Sequence, residues 1–279
     1  MLRMHINERK LTLMKLFARF LLLTLCLTLI ASGALAAKAT PTPAPREITD
    51  EVVQDVPETI QGVLDLAYNE LMEVDGKELK TKNKYTKWRN NYAYGWCGGF
   101  VTWCMLEKGI PQETWNKTPK NEVPGLVHVK EAGVGKMVTG YTRMSRTTRI
   151  PQKGFIVVYG NTNKKFAGMT PLYHVGLVYD VEKLPNGKYR LTTIEGNVSM
   201  KFKDAEGTMH KASHTIRMYT RDYDPAEEDH KKDLTLVPEA EQTREETNTF
   251  TYKYTYDNDS LYVHLFLMPW IPGEEASTV

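Results

Sequence analysis

The spacing of hydrophobic residues changes once along this chain, and the change limits the folds that it can adopt. Before Gly109, apolar residues recur every three or four positions, which is typical of amphipathic helices. From Pro151 onward, apolar runs have the length of strands and are separated by turn residues. Helices followed by strands predict an α+β fold in which N-terminal helices pack on an antiparallel sheet.

Two helices are predicted in the first half of the chain. One follows the capping-box pair Asp55 and Glu58 and ends near Gly76, with an apolar stripe formed by Ile60, Val63, Leu64, Ala67 and Leu71. The other begins at Cys97, because small residues precede it and Cys97, Phe100, Val101 and Cys104 follow a helical spacing up to Gly109. The segment NKYTKW between them is predicted to be a loop, and a short helix is predicted around residues 123–137.

Six strands are predicted in the second half. A buried strand follows a Pro-x-x-Gly turn, and an antiparallel hairpin comes after it, with the turn residues Pro185, Asn186 and Gly187. The last two strands are predicted to form a C-terminal hairpin. The predicted strands are Pro151–Tyr159, Tyr173–Val181, Lys188–Glu195, Thr215–Arg221, Phe250–Tyr256 and Leu261–Leu267.

The first 36 residues are predicted to be a secretory signal peptide. A basic lead precedes the apolar run from Phe20 to Ile30, and the run is followed by the small-x-small cleavage pattern Ala34-Leu35-Ala36. A membrane anchor is the weaker alternative because the run is short. We therefore expect a secreted protein with no stable membrane anchor after cleavage. Its predicted parts are a signal peptide (1–36), a Thr/Pro-rich linker (37–47), the main domain (48–221) and an acidic segment with a C-terminal β-hairpin that completes this domain (222–279).

Removal of the signal peptide changes the charge balance. The whole chain has a formal net charge of +2, whereas residues 37–279 keep 31 basic and 33 acidic residues, a net charge of −2. No zinc-finger spacing and no aromatic-basic binding signature is found, so a nucleic-acid partner is not expected.

Cys97 and Cys104 are the two cysteines that remain after cleavage. Seven residues apart on one helix, their Cα atoms lie about 10 Å apart at the helical rise per residue, beyond the reach of a disulfide bond. Cys97 falls in the first helical turn, where unpaired N–H groups and the helix dipole favour a thiolate. We predict that Cys97 is a nucleophile and that Cys104 belongs to the core. The alternative for Cys97 is a small apolar residue in the core.

The hairpin carries a second candidate catalytic group, the imidazole of His174. If its loop has four residues, His174 lies directly opposite Glu195 on one face of the sheet, with Asn197 as a near-diagonal neighbour. A carboxylate beside an imidazole fixes its tautomer and stabilises its charged form. A cysteine at a helix start, a histidine on a sheet and a polar residue that orients the histidine are the parts of a thiol hydrolase. The alternative is an ordinary strand pair with no thiol nearby.

These segments resemble one known family when they are taken in order. The segments WCGGFVTWC, HVGLVYDV and TIEGN, with a leading helix and NKYTKW before them, are similar to cysteine- and histidine-dependent amidohydrolase/peptidase (CHAP) domains, relatives of the NlpC/P60 cell-wall peptidases. The resemblance covers roughly residues 58–221. One position departs from the family pattern, because Phe155 stands where the strand turn usually carries aspartate.

The resemblance implies a papain-like fold and a hydrolase of peptidoglycan amide bonds. We expect a monomeric, cell-wall-associated protein without a cofactor. No metal is expected, because no step of the hydrolysis requires one and the loop before Cys97 is basic. Cys97 would be the nucleophile and His174 the general base and acid. Glu195 would orient the imidazole, with assistance from Asn197. Three aromatic residues near the cysteine could line a substrate groove or simply belong to the core: Tyr85, Trp88 and Trp96. The alternative function is a non-catalytic CHAP-like binding or scaffold protein of a cell-surface or secretion assembly.

Overall fold

A computed structural model of the protein describes residues 44–90, 95–120, 123–163, 172–203, 208–227, 233–237, 253–254 and 261–274. The predicted signal peptide and most of the predicted linker lie outside these residues. None of the helices within the described ranges is long and apolar enough to cross a membrane.

The described residues contain four helices and ten strands, and the helices precede most of the strands. The helices are α1 (Glu58–Val74), α2 (Lys84–Lys87), α3 (Cys97–Glu107) and α4 (Val134–Arg143). The strands are β1 (Gln112–Glu113), β2 (His128–Val129), β3 (Thr147–Thr148), β4 (Ile156–Asn161), β5 (Leu172–Lys183), β6 (Tyr189–Lys203), β7 (Met209–Tyr223), β8 (Leu234–Leu236), β9 (Lys253–Tyr254) and β10 (Leu261–Leu267). The mixed helical and antiparallel structure agrees with the predicted α+β class.

One antiparallel sheet dominates the fold. Its strand order is β3-β10-β4-β5-β6-β7-β8, with β9 paired to β6, and β1 and β2 form a separate parallel pair. The helix α3 packs against β5 and β6. Gly196 on β6 permits this contact, because a Cβ atom there would lie 2.7 Å from Phe100 Cβ and 2.8 Å from the Trp96 ring. The start of α3 is therefore held against the middle of the sheet.

The two predicted long helices are present, and the backbone conformation at each end of α1 explains its boundaries. The predicted apolar stripe of α1 is buried. Burial of each large apolar side chain stabilises the fold by roughly 2 kcal/mol relative to leaving it exposed. Asp75 follows α1 in the left-handed conformation at φ 48°, which ends the helix beside Gly76. The predicted capping box at Asp55 is wrong: α1 begins at Glu58 after Pro57, and no side chain caps it. Proline fixes a backbone angle that suits this boundary.

Two other local predictions need correction. The segment NKYTKW is not all loop, because Asn83 caps the short helix α2 and exchanges hydrogen bonds with Thr86 in a capping box. The short helix predicted around residues 123–137 lies further along the chain, where α4 begins after Gly133. Its predicted first half instead contains β2.

The last two predicted strands do not pair with each other in the described residues. Strand β9 pairs with β6, whereas β10 lies between β3 and β4. The predicted C-terminal hairpin is therefore not seen in the described residues, and most of its predicted first strand, Phe250–Tyr256, lies outside them. Strand β10 is buried along nearly its whole length, so residues beyond position 222 form part of the same sheet.

Candidate active site

The first turn of α3 presents Cys97 at a helix start. Cys97 is the first helical residue, and the first backbone hydrogen bond within the helix runs from Phe100 N–H to the carbonyl of Trp96. The N–H groups of the first turn therefore remain available to a negative charge. Gly98 is required next to the cysteine, because a Cβ atom there would lie 2.3 Å from the carbonyl oxygen of Ala132.

Strand β5 brings His174 to this helix start. The His174 imidazole lies close enough to the Cys97 thiol for each group to shift the pKa of the other, and both residues are 7% exposed. His174 Nε2 lies 3.0 Å from Glu195 Oε2. Because the carboxylate takes Nε2, Nδ1 is the ring nitrogen left for the thiol. The structure therefore joins a thiol, an imidazole and a carboxylate in one chain of contacts.

His174 and Glu195 share a face of the sheet, although the predicted pairing of their strands is wrong. The last pair of the hairpin is Lys183 with Tyr189, which leaves a five-residue loop, and Tyr179 is an extra residue in a bulge of β5. Beyond the bulge, Leu177 pairs with Ile194, so His174 is a diagonal neighbour of Glu195 and not its direct partner. The longer loop and the bulge together shift the register by two residues, which preserves the face.

Glu195 is held by four groups. Its Oε1 atom accepts hydrogen bonds from the Tyr159 hydroxyl at 3.0 Å, the Thr193 hydroxyl at 2.7 Å and Arg221 Nη1 at 2.6 Å. Its Oε2 atom is left to His174. Both Glu195 and Arg221 are almost fully buried, at 1% and 3% exposure. Sequence reasoning missed Tyr159, Thr193 and Arg221.

The neighbours of Cys97, His174 and Glu195 shift all three pKa values in the direction that favours the charged form. Burial alone would raise the pKa of Cys97, but the charge and hydrogen bond of His174, with the N–H groups of Val175 and Gly98, lower it below its usual range. Burial alone would lower the pKa of His174, but Cys97 and Glu195 raise it to about 10. Burial opposes ionisation of Glu195 as well, yet Arg221 and His174 hold its pKa well below the usual range. The favoured state is thiolate, imidazolium and carboxylate.

Cys104, on the same helix, has the opposite environment. It is fully buried, and burial together with the Glu70 charge raises its pKa well above the usual range. Both cysteines are free thiols, as the helical spacing predicted.

The structure places Asn197 with a different histidine. Its Oδ1 atom lies 2.7 Å from His214 Nδ1, and both residues have positive φ angles, 59° and 57°. Asn197 is the extra residue of a bulge between Gly196 and Val198, so the strand alternation that relates Glu195 to His174 does not extend to it. Its predicted assistance to His174 remains a prediction.

The three aromatic candidates near Cys97 differ in exposure. Tyr85 and Trp96 are 0% and 1% exposed and stack with ring centroids 5.1 Å apart. This burial favours the alternative that they are core residues, since a substrate would meet almost none of their surface. Trp88 is half-buried and donates from Nε1 to the Gly99 carbonyl at 3.3 Å.

Phe155, the departure from the family pattern, is accommodated in the core. It is fully buried and meets Trp270 with ring centroids 5.7 Å apart. The turn before it is formed by Gly154 at φ 81°, whose N–H donates to the Val178 carbonyl at 2.8 Å. An apolar side chain therefore occupies this position without disturbing the start of β4.

The family model of the CHAP domain matches residues 87–197, a range that contains Cys97, His174 and Glu195. This match confirms the resemblance seen in the sequence. It suggests a hydrolase of the peptidoglycan amidase/peptidase kind. No curated protein and no solved structure gives a significant match to the chain. In the described parts of the chain, no group of three or more His, Cys, Asp or Glu side chains is arranged to hold a metal ion.

Proposed function

We propose that the protein is a secreted cysteine hydrolase with a papain-like fold that cleaves amide bonds of peptidoglycan through Cys97, His174 and Glu195. The bonds are those of stem or bridge peptides, or the bond between muramic acid and the first alanine. The observation that carries the proposal is the contact of a helix-start thiol with an imidazole whose other nitrogen meets a buried carboxylate. The CHAP domain match supports peptidoglycan as the substrate.

The arrangement can perform amide hydrolysis in two stages. The Cys97 thiolate attacks the carbonyl carbon of the substrate, and the Cys97 backbone N–H, which precedes the first hydrogen bond of α3, donates to the developing oxyanion. His174 gives its proton to the leaving amine as the C–N bond breaks, which leaves a thioester. His174 then takes a proton from water, the resulting hydroxide attacks the thioester, and the thiolate is released.

Purified peptidoglycan tests the proposal directly. The wild-type protein should release fragments, whereas Cys97→Ala should release none above background. Cys104→Ser is the matched control, because it changes the other thiol of the same helix and should keep most of the activity. Mass spectrometry of the new termini distinguishes an amidase from an endopeptidase. A folded wild-type protein that cleaves no wall chemistry would overturn the proposal and favour the non-catalytic alternative.

A further inference from the structure

Arg221 lies in the buried side-chain cluster behind His174, outside the residues that match the CHAP domain. We propose that Arg221 is a positioning residue that keeps the Glu195 carboxylate ionised and correctly turned, and so controls the reactivity of Cys97 through His174. The inference rests on the proposed function only where it concerns hydrolysis of a substrate. The arrangement of charges can be tested without any substrate.

The contacts of Arg221 fix one carboxylate oxygen and leave the other to the histidine. Arg221 Nη1 donates to Glu195 Oε1 at 2.6 Å and to the Tyr159 hydroxyl at 3.0 Å. Tyr159 in turn donates to the same carboxylate oxygen at 3.0 Å. With Oε1 held from several directions, rotation of the carboxylate away from His174 would break all of these bonds.

The guanidinium group is itself held in place by aromatic rings. Its central carbon lies 4.2 Å from the ring centroid of Tyr219 and 5.2 Å from that of Tyr159. A planar, permanently charged group suits such a site, because it can contact the rings with its faces while its N–H groups donate at the edge. A lysine at position 221 would keep the charge but could not reproduce this geometry.

A buried carboxylate without a cation would tend to bind a proton. Six ionisable or charged groups face this region: Tyr159 on β4, His174 on β5, Arg217, Tyr219 and Arg221 on β7, and Cys97 on α3. Arg217 is the cross-strand partner of Glu195, and it is only half-buried. Of the groups that favour the ionised carboxylate, Arg221 has the largest effect on the pKa of Glu195.

Loss of Arg221 therefore has a defined consequence for the thiol. A protonated Glu195 no longer stabilises the imidazolium, so His174 releases its proton more readily. Without that positive charge, the pKa of the Cys97 thiol rises. A positioning role thus predicts that the Cys97 titration moves towards higher pH, whereas a purely structural role predicts lower stability with an unchanged titration.

The experiment measures the rate at which iodoacetamide alkylates Cys97 in the full chain as a function of pH, with peptide mass spectrometry to separate Cys97 from Cys104. In Arg221→Gln, the midpoint should move to higher pH. At pH values below both midpoints, a midpoint that is higher by about one pH unit lowers the rate by about tenfold, because the thiolate fraction falls by that factor. Arg221→Lys should lie between wild type and Arg221→Gln. In the Glu195→Gln background, Arg221→Gln should change the profile no further.

The control variant is Arg190→Gln. Arg190 forms a two-point ion pair with Asp222 on the same two strands, but it lies five residues from Glu195 along β6 and its side chain alternates to the other face. Its loss should leave the alkylation profile unchanged. A folded Arg221→Gln protein with the wild-type profile would overturn the inference. If Arg221→Gln does not fold, an unchanged profile in Arg221→Lys has the same consequence. Absence of peptidoglycan cleavage would count against the proposed function alone, because alkylation needs no substrate.

Discussion

His174 and His128 are two buried histidines whose neighbours differ in charge. His174 lies between the Cys97 thiol and the Glu195 carboxylate, and its pKa rises to about 10. His128 lies between two hydroxyl groups, with Nε2 2.9 Å from Thr102 Oγ1 and Nδ1 2.9 Å from the Tyr141 hydroxyl, and burial lowers its pKa to about 3. Burial disfavours the charged form of both, so the charged neighbours alone account for the difference.

The two surroundings suit different tasks. The neutral His128 ring links β2 to α3 and α4 through satisfied hydrogen bonds, which makes it part of the framework that supports the first turn of α3. The charged His174 ring keeps a proton that it can give to a leaving group. A single variant at each histidine can therefore separate support from chemistry.

The largest expected difference is in titration. The two pKa values, about 10 for His174 and about 3 for His128, lie on opposite sides of the neutral range. We expect the His174 ring to stay protonated throughout that range and the His128 ring to stay neutral there. NMR of the imidazole nitrogens across the pH range in which the protein is folded, with signals assigned from His174→Gln and His128→Gln, measures both. A His174 ring that loses its proton near the ordinary value of 6.5 would contradict the charged arrangement.

The rate of hydrolysis should distinguish His174 from His128. His174→Gln removes the proton donor and should lower kcat by about 10³-fold, within the range of general acid–base catalysis. His128→Gln should keep most of the activity per folded molecule, because His128 contacts neither Cys97 nor Glu195 in the described hydrogen bonds. Rates of peptidoglycan cleavage, normalised to the folded fraction from circular dichroism, make the comparison. Equal losses in both variants would show that the framework and the chemistry are not separable.

Stability should respond in the opposite order. His128→Leu removes two buried hydrogen bonds and should lower the free energy of unfolding by about 2 kcal/mol. It should also change the pH dependence. The folded pKa of His128 is below its ordinary value of 6.5, so the unfolded chain binds a proton that the folded one does not, and this costs stability as pH falls from 6.5 towards about 3. Urea unfolding should show a shallower acid loss in the variant, and parallel curves would contradict the assignment.

The sequence predicts those parts of the site that depend on local patterns. Cys97 could be placed in a first helical turn because small residues and a helical spacing surround it. The capping box at Asn83 and Thr86 was also within reach of local reasoning, but the basic composition of NKYTKW favoured a loop. The common face of His174 and Glu195 was predicted correctly from strand alternation, although the loop length was not.

Contacts between distant segments could not be predicted in the same way. The bulge at Tyr179 compensates for the longer hairpin loop, and neither feature has a distinctive sequence pattern. The approach of Arg221 to Glu195 depends on the pairing of β6 with β7, which no local signal sets. Arg217, Tyr219 and Arg221 do alternate along one face of β7, but an alternating pattern does not reveal which arginine is buried against a carboxylate.

The smallest expected effect tests whether charge or hydroxyl groups hold Glu195. Tyr159→Phe removes one neutral hydrogen bond to Oε1, worth about 1 kcal/mol, and keeps the ring beside His174. Thr193→Val removes another bond to the same oxygen and is the matched variant. Each should slow hydrolysis only a few-fold and move the Cys97 alkylation midpoint slightly to higher pH, because Arg221 still neutralises the carboxylate. If Tyr159→Phe moved the midpoint as far as Arg221→Gln, the hydroxyl and not the guanidinium would hold the carboxylate, and charged neighbours would no longer explain why His174 differs from His128.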